Sequence, residues 1–356
     1  MSPTPCHQFN PSSSVKSVVA LALAFAFFPA AHSQESPLTI HSTANIVFVP
    51  TQVQTKKGEM IYGLTKDQFI LEDNGVPQTI KLDEDTDALG LSLVVVIQCS
   101  RDAIRQFDNM RGLNAMIDDL TGGAPRQVAV VTYGSDINLI GEFTSDPRAL
   151  ADNLREVQPC DDHNAVTFGA IDYANHMFDE NKSTAVSRNR RAILLISETR
   201  DHGSHIKPAE VIANLGRTNT VVDSVSFEPA KTQILDSLVH GQVGPGAIGL
   251  IIAAAAALKK NAPNTLASLT GGEYTNFGSQ HSFDKGVHNL ANHIHNYYLL
   301  SFQPQGKNGE PVTPGLHHIT VKVPDYDTRI RSRESYYAGE APPPDLPDSK
   351  EDKKEK

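Results

Sequence analysis

Seven polar residues lie next to segments whose patterns predict the strands of one sheet and the helices that connect those strands. They are Gln98, Ser100, Arg101, Asp102, Thr167, Glu198 and Arg200. Ser100, Asp102 and Glu198 carry the hard oxygen ligands that Mg²⁺ and similar divalent cations prefer, so they are the candidate metal ligands. Arg101 and Arg200 would instead hold a partner's carboxylate through paired N–H···O bonds. A purely solvated surface role for both arginines is the simpler alternative.

Enzymatic chemistry has weaker support in the sequence. Ser100 follows a predicted strand, as a nucleophile often does, but no Gly-x-Ser-x-Gly elbow surrounds it. Neither a phosphate-binding Gly-Lys-Ser/Thr nor a His-Glu-x-x-His motif occurs. His163, His202 and His205 belong to the same group of loops, but their spacing matches no established zinc site. The sequence therefore predicts a protein without enzymatic activity. A hydrolase is the least favoured of the candidate functions.

Alternating strand and helix patterns position these residues in the segment 87–296. Leu91–Ile97 and Ala192–Ile196 are nearly continuous apolar runs, as expected of strands covered on both faces of a parallel sheet. Apolar residues recur every three or four positions from Ile104 to Leu120, which predicts one long amphipathic helix. The predicted fold is a doubly wound, mostly parallel, Rossmann-like α/β sheet, whose ligand site would lie at the carboxyl ends of its strands.

Two β-rich segments and a polar tail flank that domain. Residues 34–86 predict a small N-terminal β module, in which Asp73-Asn74-Gly75 joins Phe69–Glu72 to Thr79–Leu82 in a hairpin. Residues 297–339 predict a C-terminal β meander. Residues 340–356 are acidic and Pro-rich, and we expect them to be disordered.

Residues 1–33 predict a cleaved signal peptide and hence a secreted or periplasmic protein. Lys16 precedes an apolar run of roughly eleven residues, too short to span a bilayer, and Ala31 and Ser33 supply the small residues that cleavage needs. The full chain has 31 basic and 41 acidic residues; removing the segment deletes one Lys and no acid, which changes the net charge from −10 to −11. An acidic balance argues against a nucleic-acid partner. No later apolar run reaches the length of a membrane span.

The order of several short segments resembles secreted bacterial proteins, of an acidobacterial type, that contain a von Willebrand factor type A domain. The segments are Gly63-Leu-Thr-Lys-Asp-Gln-Phe-Ile-Leu-Glu-Asp-Asn-Gly75, Leu-Thr-Gly-Gly at 269–272, Tyr-Tyr-Leu-Leu-Ser-Phe at 297–302 and Arg-Ser-Arg-Glu-Ser-Tyr-Tyr-Ala at 331–338. The resemblance covers about residues 36–339. It implies a binding protein, and the wider family commonly holds a divalent cation in a metal-ion-dependent adhesion site of the form Asp-x-Ser-x-Ser, a Thr and an Asp.

This chain departs from the family's metal pattern at nearly every ligand. Gln98 replaces the leading Asp, and Asp102 replaces the last Ser of the first loop. In the second loop Ala165 stands where the Thr is expected, and Thr167 is displaced by two residues. Glu198 replaces the Asp of the third loop. The resemblance therefore implies a degenerate site that needs no cofactor, with Mg²⁺ or another divalent cation as the alternative.

Two of the three cysteines remain after residue 33, and the resemblance places both on loops of this site. Cys99 and Cys160 would form a disulfide in an oxidising compartment, or remain two buried thiols. The sequence as a whole predicts an exported, non-enzymatic, adhesion-type protein that binds an unidentified protein partner. Adhesion that depends on a divalent cation bound by Ser100, Asp102 and Glu198 is the alternative.

Overall fold

The computed structural model describes residues 46–83, 90–121, 125–181, 189–227, 246–295 and 297–344. Its strands are β1 (Val47–Thr55), β2 (Ile70–Asp73), β3 (Val76–Pro77), β4 (Ile80–Asp83), β5 (Leu91–Gln98), β6 (Arg126–Tyr133), β7 (Ile137–Thr144), β8 (Arg190–Ser197), β9 (Val221–Phe227), β10 (Tyr274–Phe277), β11 (Tyr298–Phe302), β12 (Gly315–Lys322), β13 (Thr328–Ser332) and β14 (Ser335–Ala338). Its α-helices are α1 (Leu113–Thr121), α2 (Pro147–Glu156), α3 (Thr167–Glu180), α4 (Pro208–Arg217), α5 (Ala247–Lys260), α6 (Ala262–Thr270) and α7 (Gln280–His295). Short 3₁₀ segments occupy Lys66–Gln68, Arg101–Met110 and Lys307–Gly309.

The central sheet contains six strands in the order β10-β9-β8-β5-β6-β7. The strands from β10 to β6 pair in parallel, whereas β7 is antiparallel to β6. The chain continues from β5 to β6 on one side and later places β8 on the other side, so the strand order reverses between β5 and β8. The predicted doubly wound, mostly parallel sheet is confirmed, and its switch point is the place where such sheets bind ligands.

Both faces of this sheet are covered by helices, which explains the continuous apolar runs. All eight residues of β5 are buried. Val94 and Val96 pack in one core with residues of α3, α4, α5 and α6. Leu93, Val95 and Ile97 point the other way and pack with residues of α1, α2 and α7. Because successive side chains of a strand face opposite sides, one apolar run serves both layers.

The two β-rich flanks share their sheets. One sheet has the order β13-β1-β11-β4 and the other β14-β12-β2-β3, so each contains strands from both ends of the described chain. Their apolar side chains form a core that includes Val49, Leu71, Leu300 and Ile319. The predicted β-rich flanks are thus present, and we call the two sheets that they share the β unit. Antiparallel partners far apart in sequence leave no local signal of their pairing.

The predicted hairpin exists, but its second strand is shorter than predicted. Asn74 and Gly75 have φ angles of 47° and 80°, as the turn requires, and they connect β2 to β3. The predicted partner Thr79–Leu82 lies instead in β4, which pairs with β11 in the other sheet. The chain therefore leaves the hairpin after Pro77 and crosses to the second sheet.

A buried polar group joins the two ends of the chain within the β unit. His317 Nδ1 lies 2.7 Å from Asp73 Oδ1 and 3.1 Å from Asn74 Nδ2, and the hydroxyl of Tyr336 donates to Asp73 Oδ2 at 2.6 Å. His317 Nε2 lies 2.7 Å from the Thr313 carbonyl. Burial lowers the pKa of His317, but the bonds to Asp73 and Thr313 outweigh burial, so that the pKa is raised above its usual value.

Arg333 anchors the β unit to the α/β domain. Its guanidinium is buried and donates to the carbonyls of Leu215 and Thr218 at the end of α4, and its Nε donates to Ser335 O. A cation at the carboxyl end of a helix opposes the negative end of the helix dipole. Burial lowers the pKa of Arg333 to about 10. Gly271, which ends α6, lies against it, since a Cβ there would be 2.7 Å from Arg333 N.

The long helix predicted over Ile104–Leu120 is wrong as a continuous element. The structure has a 3₁₀ segment at Arg101–Met110 and then α1, and Gly112 between them has a φ of 92°. A residue in the left-handed region interrupts the helical hydrogen bonds, and glycine adopts this conformation without strain. The periodic spacing of apolar residues continues across this break, so the sequence pattern does not reveal where the helix is interrupted.

The predicted signal peptide, residues 1–33, lies outside the described residues, and so does the predicted disordered tail beyond residue 344. Residues 340–344 of that tail are described, and Arg217 donates to the carbonyl of Ala341 at 2.6 Å and to that of Gly339, just before the tail, at 3.1 Å. None of the described helices combines the length and the apolar character needed to cross a membrane.

Candidate functional site

Three loops meet at the switch point of the central sheet, and we call their meeting point the rim. The first loop is residues 98–102 after β5, the second is residues 160–167 before and at the start of α3, and the third is residues 198–205 after β8. Of the residues that the sequence analysis singled out, the structure brings Gln98, Ser100, Arg101, Thr167 and Glu198 together there. The strand order places the ends of β5 and β8 side by side.

Glu198 is the central charged group of the rim. Its side chain is only 5% exposed. Gln98 Nε2 donates to Glu198 Oε1 at 2.9 Å, and Gln98 Oε1 accepts from the Glu198 amide at 2.9 Å. Arg101 Nε donates to the same Oε1 at 3.1 Å, and His202 Nε2 lies 3.8 Å from Oε2. A buried carboxylate is tolerated when hydrogen bonds and an opposite charge compensate it, and Gln98 and Arg101 supply both.

Arg101 has a conformation that only a fixed set of contacts would maintain. Its φ is 55°, in the left-handed region, which is costly for a residue with a long side chain. Besides Glu198, it contacts the His163 carbonyl, to which Nη1 donates at 2.9 Å. Within the part of the chain that the structure describes, Nη2 has no acceptor, and a third of the side chain is exposed. The guanidinium therefore presents free N–H donors to solvent.

The second loop is attached to the first and third loops by short polar contacts. Ser100 Oγ donates to the Asn164 carbonyl at 2.5 Å. Ala165 and His202 exchange two backbone hydrogen bonds, of 2.9 and 2.8 Å. Thr167 is buried, and its hydroxyl lies 3.1 Å from that of Tyr133, which is not a position open to a ligand.

Cys99 and Cys160 form a disulfide, with their Cα atoms 5.1 Å apart. The Cys160 amide also donates to the Cys99 carbonyl at 2.9 Å. The pairing that the sequence left open is therefore confirmed, and it joins the first loop to the second. The alternative of two buried thiols is wrong.

Two predicted rim residues lie at the edge of this arrangement. Arg200 is exposed and Asp102 is half-buried. Among the described residues, neither side chain makes a hydrogen bond or an ion pair. Arg101 therefore belongs to the built part of the rim, whereas Arg200 resembles a solvated surface arginine.

Asp201 and Ser204 are structural members of the site that sequence reasoning did not single out as such. Asp201 Oδ1 accepts from the Phe168 amide and from the Ser204 hydroxyl, and Ser204 Oγ accepts from the Gly169 amide. They satisfy free amides at the start of α3. Burial raises the pKa of Asp201, although the bonds from Phe168 and Ser204 oppose the shift. The sequence signal that could have identified this pair is an Asp three residues before a Ser.

The arrangement does not fit a divalent cation held by Ser100, Asp102 and Glu198. The guanidinium of Arg101 already lies on the Glu198 carboxylate and would repel a cation there. In the described ranges, no three His, Cys, Asp or Glu side chains converge as metal ligands. Mg²⁺ also demands near-octahedral oxygen geometry, to which a guanidinium contributes nothing.

No protein-family model and no curated protein match the chain. Solved structures do match, at low identity. The conserved hypothetical protein BatB from Bacteroides thetaiotaomicron is 15% identical with a TM-score of 0.40, covering 58% of this chain and 99% of that one. The vWF domain of the pilus tip protein Mfa5 from Porphyromonas gingivalis is 10% identical with a TM-score of 0.38, covering 58% and 96%. Proximal thread matrix protein 1 of the mussel byssus, with a zinc-occupied MIDAS (metal-ion-dependent adhesion site) motif, is 13% identical with a TM-score of 0.42. That match covers 65% of this chain and 50% of that one.

Proposed function

We propose that this chain is an exported, non-enzymatic binding protein with a von Willebrand type A-like domain. The proposal is that it binds a protein partner at the rim without a metal ion. The single observation that carries it is the contact between Arg101 and the buried Glu198, at 3.1 Å. We assign to the Arg101 guanidinium the positive charge that a cation supplies in the family, and its remaining N–H donors face solvent.

The partner's chemistry follows from those donors. A carboxylate of the partner would accept from the Arg101 guanidinium, as charge-assisted bonds of this type are roughly twice as strong as neutral ones. Glu198 and the His163 carbonyl hold the guanidinium in one place before the partner arrives. Preorganisation of this kind reduces the entropy lost on binding.

Export rests on the predicted signal peptide at residues 1–33, and the disulfide supports it. Disulfides persist in oxidising compartments and are rare in the bacterial cytosol. Cys99 and Cys160 both belong to the chain that would remain after cleavage. We therefore propose a periplasmic or secreted protein.

The test is a capture experiment with the exported protein as bait and the host's periplasm and medium as the source of partners. Arg101→Ala should lower the affinity for a captured partner about 30-fold, which corresponds to a binding residue worth about 2 kcal/mol. The matched control is Arg105→Ala, since Arg105 is exposed on the same 3₁₀ segment and should have no effect.

A chelator separates this proposal from cation-dependent adhesion. Capture should be unchanged in EDTA if the guanidinium replaces the cation. If EDTA abolishes capture and added Mg²⁺ restores it, the metal-free proposal is wrong. If Arg101→Ala captures as well as the parent protein, the assignment of Arg101 is wrong.

A further inference from the structure

The disulfide and the contact that places Arg101 lie on the same two loops. Cys99 is two residues before Arg101, and Cys160 is three residues before His163, whose carbonyl accepts from Arg101 Nη1 at 2.9 Å. The position of the guanidinium therefore depends on how firmly residues 160–164 are held against the first loop.

The other attachments of residues 160–164 are individual hydrogen bonds. Ser100 Oγ donates to the Asn164 carbonyl, and the Ser135 amide donates to Asp162 Oδ2 at 2.9 Å. Asp161, His163 and Asn164 are exposed, and the segment contains no helix or strand. Local opening is cheapest where few buried contacts hold a segment, so the disulfide is the strongest restraint on this one.

We propose that the Cys99–Cys160 disulfide is a redox-controlled positioning element for Arg101, and that a dithiol reductant loosens the rim by opening it. The inference rests on the proposed function, in which Arg101 contacts the partner. Cys160 is thus a positioning residue, which acts on the guanidinium through the His163 carbonyl.

The two sulfur atoms differ in solvent exposure, which determines which of them the reductant attacks first. Cys99 is 3% exposed, whereas Cys160 is half-buried. One thiolate of the dithiol attacks Cys160 Sγ, which forms a mixed disulfide there and releases Cys99 as a thiolate that takes up a proton. The second thiol of the reductant then displaces Cys160, and the reductant leaves as a cyclic disulfide, having supplied two electrons.

The carboxylate of Asp162 opposes that attack. Its Oδ2 lies 3.8 Å from Cys160 Sγ, so an approaching thiolate meets a negative charge. Asp162→Asn should therefore be reduced about threefold faster by dithiothreitol, because the attacking anion is no longer repelled. Asp161→Asn is the matched control and should be reduced at the parent rate.

The main experiment compares oxidised and dithiothreitol-reduced protein, purified from cells that express the full chain, by hydrogen exchange and arginine labelling. Reduction should speed amide exchange in residues 160–164 about tenfold while the central strand β8 stays protected. Labelling of Arg101 by phenylglyoxal should become faster, and labelling of Arg105 should not change. Cys99→Ala combined with Cys160→Ala should reproduce the reduced pattern without any reductant.

Two results would overturn the proposal. One is unchanged exchange in residues 160–164 after reduction. The other is faster exchange throughout β5 and β8, which would make the disulfide a staple of the whole domain. Failure of the proposed function has a different signature: capture that is insensitive to Arg101→Ala, while the loops still respond to reduction.

Discussion

A double-mutant cycle measures the energetic coupling between Arg101 and the buried Glu198 carboxylate. The variants are Arg101→Ala, Glu198→Gln and the two together. Glu198 is 5% exposed and Arg101 33% exposed, with Nε and Oε1 3.1 Å apart. Glu198→Gln keeps the size of the side chain and removes its charge, so the cycle isolates the charge–charge contact from packing.

The expected magnitudes follow from burial and distance. At an effective dielectric constant near 20, two charges 3.1 Å apart attract by about 5 kcal/mol. Desolvation and the partial exposure of Arg101 reduce the net value considerably. We expect Arg101→Ala to lower the free energy of unfolding by about 2 kcal/mol, because it leaves a buried charge with only neutral donors. Glu198→Gln should cost about 1 kcal/mol and the double variant about 1.5 kcal/mol, a coupling near 1.5 kcal/mol.

The assay is urea unfolding at pH 7, followed by far-ultraviolet circular dichroism since the chain contains no Trp. Arg105→Ala, an exposed substitution on the same segment, should change the free energy of unfolding by less than about 0.5 kcal/mol. If the two single effects add within about 0.5 kcal/mol in the double variant, Arg101 and Glu198 are not coupled. That result would refute the central role given to their contact.

Three further predictions concern the β unit and its attachment. Burial lowers the pKa of His317, but the bond to Asp73 outweighs burial, so the pKa is raised. The stability that His317 contributes should be complete below pH about 6.5 and should be lost as the pH rises through the raised pKa. Urea unfolding of His317→Asn at several pH values should lack that decline. Arg333→Met should destabilise the protein by about 2 kcal/mol or more in thermal and urea unfolding, because buried carbonyls at the end of α4 lose their donor. Gly271→Ala should cost about 2 kcal/mol because its φ is 83° and a Cβ would meet backbone, whereas Gly278→Ala, with open space around it, should be nearly neutral in the same assays.

The central sheet was predictable because its signals are local. β5 and β8 are short apolar runs between turns, and only a strand covered on both faces needs such a run. The start of α2 also carries a local signal, an Asp before a Pro, and the Asp146 side chain accepts from the Arg148 amide at 2.9 Å. β10 and β14, of four residues each, escaped prediction, whereas the equally short β2 and β4 were located because the Asn74-Gly75 turn signal lies between them.

The β unit could not be predicted in the same way. Its sheets join β1 to β11 and β13, and the partners are separated by most of the chain. Periodicity specifies that a segment is a strand and which face is apolar, but it does not specify which strand lies beside it. The hairpin shows the same limit, since the turn at Asn74-Gly75 was located correctly while the partner of β2 was not.

The loops of the rim were located from the strand ends, but the contacts within it depend on angles that the sequence does not encode locally. Arg101 reaches Glu198 and His163 from a backbone with φ of 55°. That conformation is rare for arginine, so no propensity would have suggested it. The disulfide was foreseeable only as one of two alternatives, because it requires the two loops to approach within about 7 Å.

The polar residues at the rim depend on one another around one buried charge. Gln98 uses both ends of its amide on Glu198, accepting from its backbone and donating to its carboxylate. An Asp at position 98 would provide no donor and would place a second negative charge against the first. Arg101 then supplies the positive charge that a buried carboxylate requires. Removing any one of the three would leave a buried polar or charged group without its partner, since they complete one another around the Glu198 carboxylate. The rim is therefore a self-compensated polar cluster, and under the proposed function its exposed guanidinium is the group that would contact the partner.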